Sequence, residues 1–388
     1  MIVLFKTLFY LSAFIIFWSM IGYPFTIKIL GKIYKNRQLV KDYNHQPTVT
    51  VMVVAHNEEK VIQEKLKNLL ELDYPKEKIE FLVSSDNSTD RTNEIVRQFI
   101  KDNPHVKIKL YEVKERKGKT NAQNEAQKTV KTDYLIMTDA NSMLDKNSAK
   151  ELMAAFASQD IAYVCGRLEI INEKASEVSA AENSYWDKDL NIREVESRIQ
   201  TITAGNGALY ACKTKEYHDF NPIYSHDSSM PLFYALRGKR AIANHDAIAY
   251  EKAGEVIEDE FGRKVRMNRI ILKHILPNFR LLNILKYRWF TFFYFGHRSC
   301  RYLLWIAHFL LLITNILLVN DSKIYLIVLI IQLAFYILAL TKAILKINNK
   351  YLTLIYYYTV TIIAQWVGVY NIVVGKSKPF WEKAESTR

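Results

Sequence analysis

The sequence predicts an α/β protein: a parallel, doubly wound sheet held between one N-terminal and three C-terminal membrane spans. Three observations carry this. Short apolar runs alternate with amphipathic stretches from Thr48 to Thr138, the pattern of strands joined by helical crossovers. Four runs with almost no charge, 8–25, 302–319, 324–341 and 351–374, are each long enough to cross a hydrocarbon core of about 30 Å. The apolar run Tyr134–Met137 stops at Asp139-Ala140-Asn141, placing polar groups at the C-terminal edge of a buried strand, where ligands sit in open α/β sheets.

Taken in order, residues 1–30 hold the first span, read as an anchor because no small-residue cleavage site follows it. A basic linker (Lys32–Gln46) leads into a globular domain over 46–275. Within it, Thr48–Ala55 is a strand, and Asn57 caps a helix with Val61, Ile62, Leu66, Leu69 and Leu70 on one face. Strand Ile79–Ser84, a turn at Asp86-Asn87-Ser88 and helix Thr89–Ile100 follow, then strand Val106–Val113, helix Thr120–Val130 and strand Tyr134–Thr138. The pattern then loosens: a helix from Ser148 to Ala157, a strand Ile161–Ile171, a long polar helix Ala175–Arg198 and a glycine-marked stretch Ala204–Gly207. Strand Ala208–Cys212, helix Ser229–Leu236 and strand Ala241–Glu251 complete the domain. Residues 276–300, basic and aromatic, suit amphipathic helices on a membrane surface, and 301–388 hold the last three spans (about 302–319, 324–345 and 352–374) and a tail.

The net charge of +13 over 388 residues is concentrated beside the spans: Lys28, Lys32, Lys35 and Arg37 after the first, Lys264 to Arg288 before the second. Such residues mark the cytoplasmic side and favour an anionic bilayer, so the excess calls for no nucleic-acid partner. The globular domain is then cytoplasmic in a multi-pass protein of the cell membrane; four crossings place both termini outside, whereas the basic tail (Lys376, Lys378, Lys383, Arg388) argues for an inside C-terminus. Cys165, Cys212 and Cys300 are too far apart in sequence for a disulfide framework or a zinc site.

Several motifs follow one another through the domain: VVAHNEE (53–59), SSDNSTDRT (84–92), RKGKTNAQNEA (116–126), TDAN (138–141), YW…ES (185–197), GNGALYACK (205–213), HDSSMPL (226–232) and FGRKVRMNR (261–269). In that order they resemble the membrane-embedded family 2 glycosyltransferases, which include hyaluronan, chitin, cellulose and poly-N-acetylglucosamine synthases. The resemblance covers about residues 48–270 and implies a GT-A-like, Rossmann-type catalytic domain. It also implies inverting transfer of a sugar from a UDP-sugar to a glycan or lipid-linked acceptor in cell-surface polysaccharide synthesis. Single transfer to a polyprenyl phosphate and a non-catalytic subunit of a larger synthase are the alternatives.

Each matching residue then has an expected role. His56 and Glu58, after the first strand, lie where base and ribose bind; Glu58 alternatively serves only the helix dipole. The matching carboxylate Asp86 accepts from the uracil ring, unless it only makes an Asx turn. Arg116 and Lys119, beside a helix N-terminus, suit a diphosphate. Asp139 and Asn141 replace an Asp-x-Asp motif and hold Mg²⁺ or Mn²⁺, the Asn removing one negative charge. Asp227 takes the proton of the acceptor hydroxyl. Gly205, Asn206, Gly207, His226, Arg263, Arg266 and Trp186 border the acceptor or diphosphate, with Tyr185 a second stacking candidate. Arg263-Lys264-Val265-Arg266-Met267 stands where processive members carry Gln-x-x-Arg-Trp, and only Arg266 matches. Asp246, after His245, is read as structural. Three C-terminal spans make a narrow bundle, leaving a homodimer or a partner export protein to complete any conduit.

Overall fold

The computed structural model describes residues 1–172, 177–254 and 257–380. Eight strands form one sheet: β1 (Val49–Ala55), β2 (Ile79–Ser85), β3 (Ile108–Glu112), β4 (Tyr134–Asp139), β5 (Met143–Leu144), β6 (Ile161–Ile170), β7 (Leu209–Lys213) and β8 (Arg240–Glu251). Their order is β3-β2-β1-β4-β7-β6-β8-β5. The first four pair in parallel, as the alternation predicts. β7 runs antiparallel to both β4 and β6, which extends the sheet beyond the doubly wound half. β1, a Val-rich run, is buried along its whole length because helices cover both faces. The chain turns from β1 to β2 and β3 on one side and returns to β4 on the other. The crevice between the ends of β1 and β4 is therefore the topological switch point, with Val54 in register with Asp139.

The helices preceding and crossing the sheet are α1 (Ile2–Phe17), α2 (Tyr23–Ile33), α3 (Ile62–Leu70), α4 (Thr92–Asp102), α5 (Lys119–Gln127), α6 (Ser148–Ala154), α7 (Glu177–Ile199) and α8 (His226–Ala235). One expected cap does not hold. Asn57 adopts a left-handed backbone (φ 53°), and α3 starts only at Ile62. The Asn57 side chain instead accepts from the Thr89 amide (2.7 Å), tying the β1 loop to the β2 loop. Sequence reasoning expected a local cap where the chain builds a cross-loop brace.

Beyond β8 come α9 (Ile257–Met267), α10 (Ile271–Ile275), α11 (Ile284–Tyr287), α12 (Trp289–Phe293), α13 (Cys300–Tyr302), α14 (Leu304–Leu318), α15 (Lys323–Leu345) and α16 (Lys350–Val373), with a π-helical turn at Tyr294–Ser299. Among the described residues, three helices are long and apolar enough to cross a membrane: Ile2–Ile33, α15 and α16. Trp289–Tyr302 and α14, bent by 60°, make a fourth if read as one broken span. Phe9 packs with Leu311, Leu318 and Tyr325, and Lys6 pairs with Asp321 at 2.7 Å, so the α1 start and the α14–α15 loop share one end of the bundle. At the other end Tyr23, Ile27 and Leu30 pack on Val195 and Ile199 of α7.

α16 is held to neighbouring helices by polar contacts. Tyr357 Oη donates to Glu260 on α9 (2.7 Å), Gln365 bridges the Trp305 amide (3.1 Å) and the Arg301 carbonyl (3.0 Å), and Gly368 lies against Asn268. The chain then runs to Pro379 and Phe380, which line the same cavity as Asp86 and Asp139. For the described residues the end of the chain thus lies against the catalytic domain, the side that the basic tail suggests and not the one that four crossings suggest. α16, long and apolar enough to span, also carries groups that find partners on α9, α13 and α14. Cysteines placed at Ser322 and Lys378 are expected to react with an impermeant thiol reagent from opposite faces of sealed vesicles. Labelling of both from one face contradicts this arrangement.

Candidate active site

The site is built on strand ends. Asp86, at the end of β2, is buried, and its two carboxylate oxygens accept from the backbone amides of Lys117 (3.2 Å) and Gly118 (2.9 Å). It is a clamp that sets the loop at the head of α5 and leaves each oxygen a further lone pair for a ligand. Gly118 has φ 93°, a left-handed conformation that a side chain would strain. Lys119 then opens α5 and reaches across to Asp139 Oδ1 and to the Gly207 carbonyl (3.2 Å). His56 Nδ1 lies 2.7 Å from the Asp86 carbonyl, so β1 and β2 are tied at the crevice; Glu58 is buried beside them, its amide donating to Thr92. Asn141 lines the same cavity two residues beyond Asp139.

Across this cavity of about 630 Å³ stands Asp227, in the first turn of α8. Its carbonyl accepts from the Gly205 amide (2.7 Å), and its carboxylate faces Gly207, where an added Cβ would sit 3.7 Å from the carboxyl carbon. Gly207 therefore separates Lys119 from Asp227 with no side chain between them. Lys119, paired with Asp139, and the Asp227 carboxylate thus both border Gly207 within one cavity, a cation for a leaving group beside a candidate base.

Several expected contacts are placed differently. Both His226 nitrogens are engaged by protein, Nδ1 with Gln123 (2.6 Å) and Nε2 with Tyr217 (2.8 Å), and burial, then Lys119, pushes the ring down to about 3. A neutral, fully partnered His226 positions α8 on α5 and is not free to meet an anion. Asn206 turns inward, donating to the Gly166 carbonyl (3.1 Å) and accepting from Ala208 (2.7 Å). Arg263 lines the cavity and is forked onto Glu260 (2.7 and 2.9 Å). Trp186 and Tyr185 lie on α7, but their side chains fall outside the described residues. Arg266 does line the cavity, where burial, with Arg263 and Arg269 nearby, pushes it down to about 9. Arg116 lies over the Phe380 ring (4.9 Å) at the mouth. Asp246 is exposed and pairs with Lys41 (2.5 Å), the structural role expected.

Sequence reading missed Arg193, Arg269, His274 and Arg298, all of which line the cavity. Arg193 donates to the Gly205 carbonyl (2.7 Å) and pairs with Asp189 one turn back, so α7 holds the glycine loop. Burial alone would raise Asp189, but Arg193, His297 and Arg301 hold it well below the usual carboxylate range. The i, i+4 spacing of Asp189 and Arg193 was the available signal.

Residues 50–214 match the family model described as Glycosyl transferase family 2. Among curated proteins the chain is similar to a probable glycosyltransferase, YdaM, of Bacillus subtilis (strain 168), at 32% identity over 43% of this chain and 41% of that protein. It is 34% identical to a beta-monoglucosyldiacylglycerol synthase of Synechocystis sp., over 42% and 33% of the two chains. A poly-beta-1,6-N-acetyl-D-glucosamine synthase of Staphylococcus epidermidis is 29% identical over 34% of each. The matches thus span between a third and about two-fifths of these relatives. Among solved structures, the mannosyltransferase PcManGT of Pyrobaculum calidifontis, in complex with GDP-Man and Mn²⁺, has a TM-score of 0.71, 21% identity, and coverage of 94% of this chain and 99% of that one. That likeness shows a GT-A-like fold.

Proposed function

We propose that this chain, whose residues 50–214 match the Glycosyl transferase family 2 model, is an enzyme that transfers a sugar with inversion from a UDP-sugar to a lipid-linked or glycan acceptor at the cytoplasmic face of the cell membrane. The observation that carries this reading is the gathering of Asp227 and the Lys119–Asp139 pair around Gly207 in one cavity. Asp86, with His56 and Glu58, provides the nucleotide end. Arg116, Lys119 and Arg266 provide cations for the diphosphate.

Asp139 and Asn141 offer one carboxylate and one amide oxygen, and among the described residues no group of three or more His, Cys, Asp or Glu gathers to hold a metal. That donor set fits a Mg²⁺ or Mn²⁺ ion shared with the donor's diphosphate, since hard cations are often held by one or two protein oxygens plus substrate phosphates. When bound, such an ion neutralises the leaving diphosphate. The protein's own part is to orient the diphosphate through Lys119 and to take the acceptor proton at Asp227. Similarity to both a glycolipid synthase and a polysaccharide synthase supports a product in the cell-surface polysaccharide or glycolipid class.

The test is a screen of UDP-sugars and GDP-sugars for acceptor-dependent nucleotide release by the full chain in nanodiscs. Release of UDP with one sugar supports the reading, and no release with any donor sinks it. Product length is a second expectation. Met267 lines the cavity and offers no flat face for a pyranose, so one or a few sugars are added per encounter. Products sized at low enzyme and high acceptor concentration check this; long polymer beside untouched acceptor contradicts it and moves stacking to Trp186 or Tyr185.

A further inference from the structure

The cavity continues past the catalytic carboxylates to Arg269, His274, Arg298 and Tyr302, groups with no role in the transfer step described above. Arg298 sits in the π-helical turn, six residues before α14 begins. Its Nε is buried with no hydrogen-bond partner, and its guanidinium lies over the Tyr302 ring (5.3 Å). A terminal nitrogen lies 3.4 Å from His274 Nδ1, and the His274 and Tyr302 rings stack at 4.8 Å. No carboxylate lies within ion-pair distance of Arg298 among the described residues. The buried carboxylates in this region are already taken: Asp189 by Arg193, Arg301 and His297, and Glu196 by His297 and Tyr23. Arg269 donates to the carbonyls of Ile223 (2.6 Å) and Tyr224 (3.3 Å) and lies near enough to Asp227 to feel its charge.

A partly buried cation with no carboxylate beside it invites an anion from a ligand. The donor's diphosphate has its own cations at the strand edge, Lys119 above all. Arg298 instead lies on the segment that enters the membrane helices. Beside it the surface carries Phe279, Leu282, Ile284 and Leu285, each at least 60% exposed, interleaved with Arg280 and Lys286. Such a surface lies in a bilayer interface, with apolar groups among the acyl chains and cations at the phosphates. We propose that Arg298, His274 and Arg269 form an anion site for the phosphate of a membrane-lipid acceptor. His274 suits the role. Burial, with Arg298 and Arg269 beside it, keeps the ring neutral, and with Nδ1 accepting from Arg298, Nε2 carries the proton and can donate to a phosphate oxygen.

This rests on the sugar-transfer reading and specifies its acceptor class. In the transfer, the bond from the anomeric carbon to the β-phosphate oxygen breaks and UDP leaves with the electron pair, while a bond to the acceptor oxygen forms. A lipid monophosphate attacks through its own anionic oxygen and has no proton to lose. A glycan linked to lipid through a phosphate attacks through a hydroxyl, whose proton passes to Asp227. Both require the same phosphate site.

The experiment uses the full chain in phosphatidylcholine nanodiscs. Binding of a short-chain polyprenyl monophosphate is compared with that of the corresponding polyprenol, for wild type, Arg298→Gln and Arg298→Lys, with UDP binding measured alongside. Wild type is expected to bind the phosphate form about 10-fold or more tightly than the alcohol, Arg298→Gln to lose that preference and Arg298→Lys to keep part of it. Equal affinity of wild type for the two lipids overturns the proposal, and this comparison needs no variant to fold. An unchanged preference in a folded Arg298→Gln protein also overturns it. A loss of UDP affinity in step with lipid affinity assigns Arg298 to the donor instead, and a water-soluble phosphate monoester that competes as well as the lipid removes the lipid from the assignment. Adding UDP-sugar to discs with the monophosphate or with a lipid-diphosphate-linked glycan shows which oxygen accepts the sugar. If lipid phosphate binds through Arg298 and neither arm consumes donor, the transfer reading fails while the anion site stands.

Discussion

Asp227→Asn is expected to cut turnover by about 100-fold or more, the scale for losing a general base, while UDP-sugar binding stays within a few-fold. The substitution keeps the size of the side chain and the Asp227 carbonyl that holds Gly205, so the glycine loop stays in place. Only the proton acceptor is removed. Asp139→Ala provides the contrast. It strips Lys119 of its carboxylate and removes the charged member of the Asp139–Asn141 pair, so metal-dependent nucleotide affinity falls along with turnover. Steady-state kinetics with separate UDP-binding measurements distinguish the two. Intact turnover in Asp227→Asn, with an acceptor that reacts through a hydroxyl, removes Asp227 as the base.

The largest effect on stability is expected at Glu260. Burial alone would raise this carboxyl, but Arg263 and Lys264 beside it, with hydrogen bonds from Arg263 and Tyr357, hold it at about 2, below its ordinary 4.5. A depressed carboxylate stabilises the fold fully above its unfolded pKa. The contribution is therefore complete above about pH 5 and fades as the pH falls from there towards about 2. Glu260→Ala removes the carboxylate paired with buried Lys264 and the acceptor of the Tyr357 hydroxyl, loosening α9 on α16, a loss of about 3–5 kcal/mol. Tyr357→Phe removes one hydrogen bond to a charged group and should cost about 1.5–3 kcal/mol. Thermal unfolding in detergent at neutral pH reads both. A Glu260→Ala protein as stable as wild type would mean the α9–α16 junction is not held by charge. Because α9 carries Arg266, lost activity should accompany lost stability.

The sheet was legible because its signal is local. β1, β2 and β4 are short apolar runs that end in polar residues, and each was placed to within about a residue or two. Asp86, Lys119, Asp139 and Asp227 were legible for a related reason: each sits at a strand end or helix start, where the chain itself aims the side chain into the crevice. Their partners were not. That Asp86 clamps the 117–118 amides, or that His226 is used up between Gln123 and Tyr217, depends on contacts about 31 and 103 residues away in sequence, which no pattern encodes. Asn57 shows the same limit at short range, since its left-handed backbone is set by a loop 32 residues on. Hydropathy found α16 as a candidate span, but it could not show that Tyr357 and Gln365 have polar partners on neighbouring helices. Arg298 went unnoticed within a run of basic residues; what distinguishes it is the lack of a carboxylate partner, a property of packing.

The central claim is geometric: an acceptor oxygen beside Asp227 attacks from the side opposite a diphosphate held by Lys119 and Asp139. The measurement that tests it most directly is the anomeric configuration of the newly formed linkage, read by NMR on product made from a ¹³C-labelled α-linked UDP-sugar. A β linkage, formed by one in-line displacement, is the expected result. An α linkage would require attack from the leaving-group side or a second displacement, and would contradict the placement of Asp227 as the base.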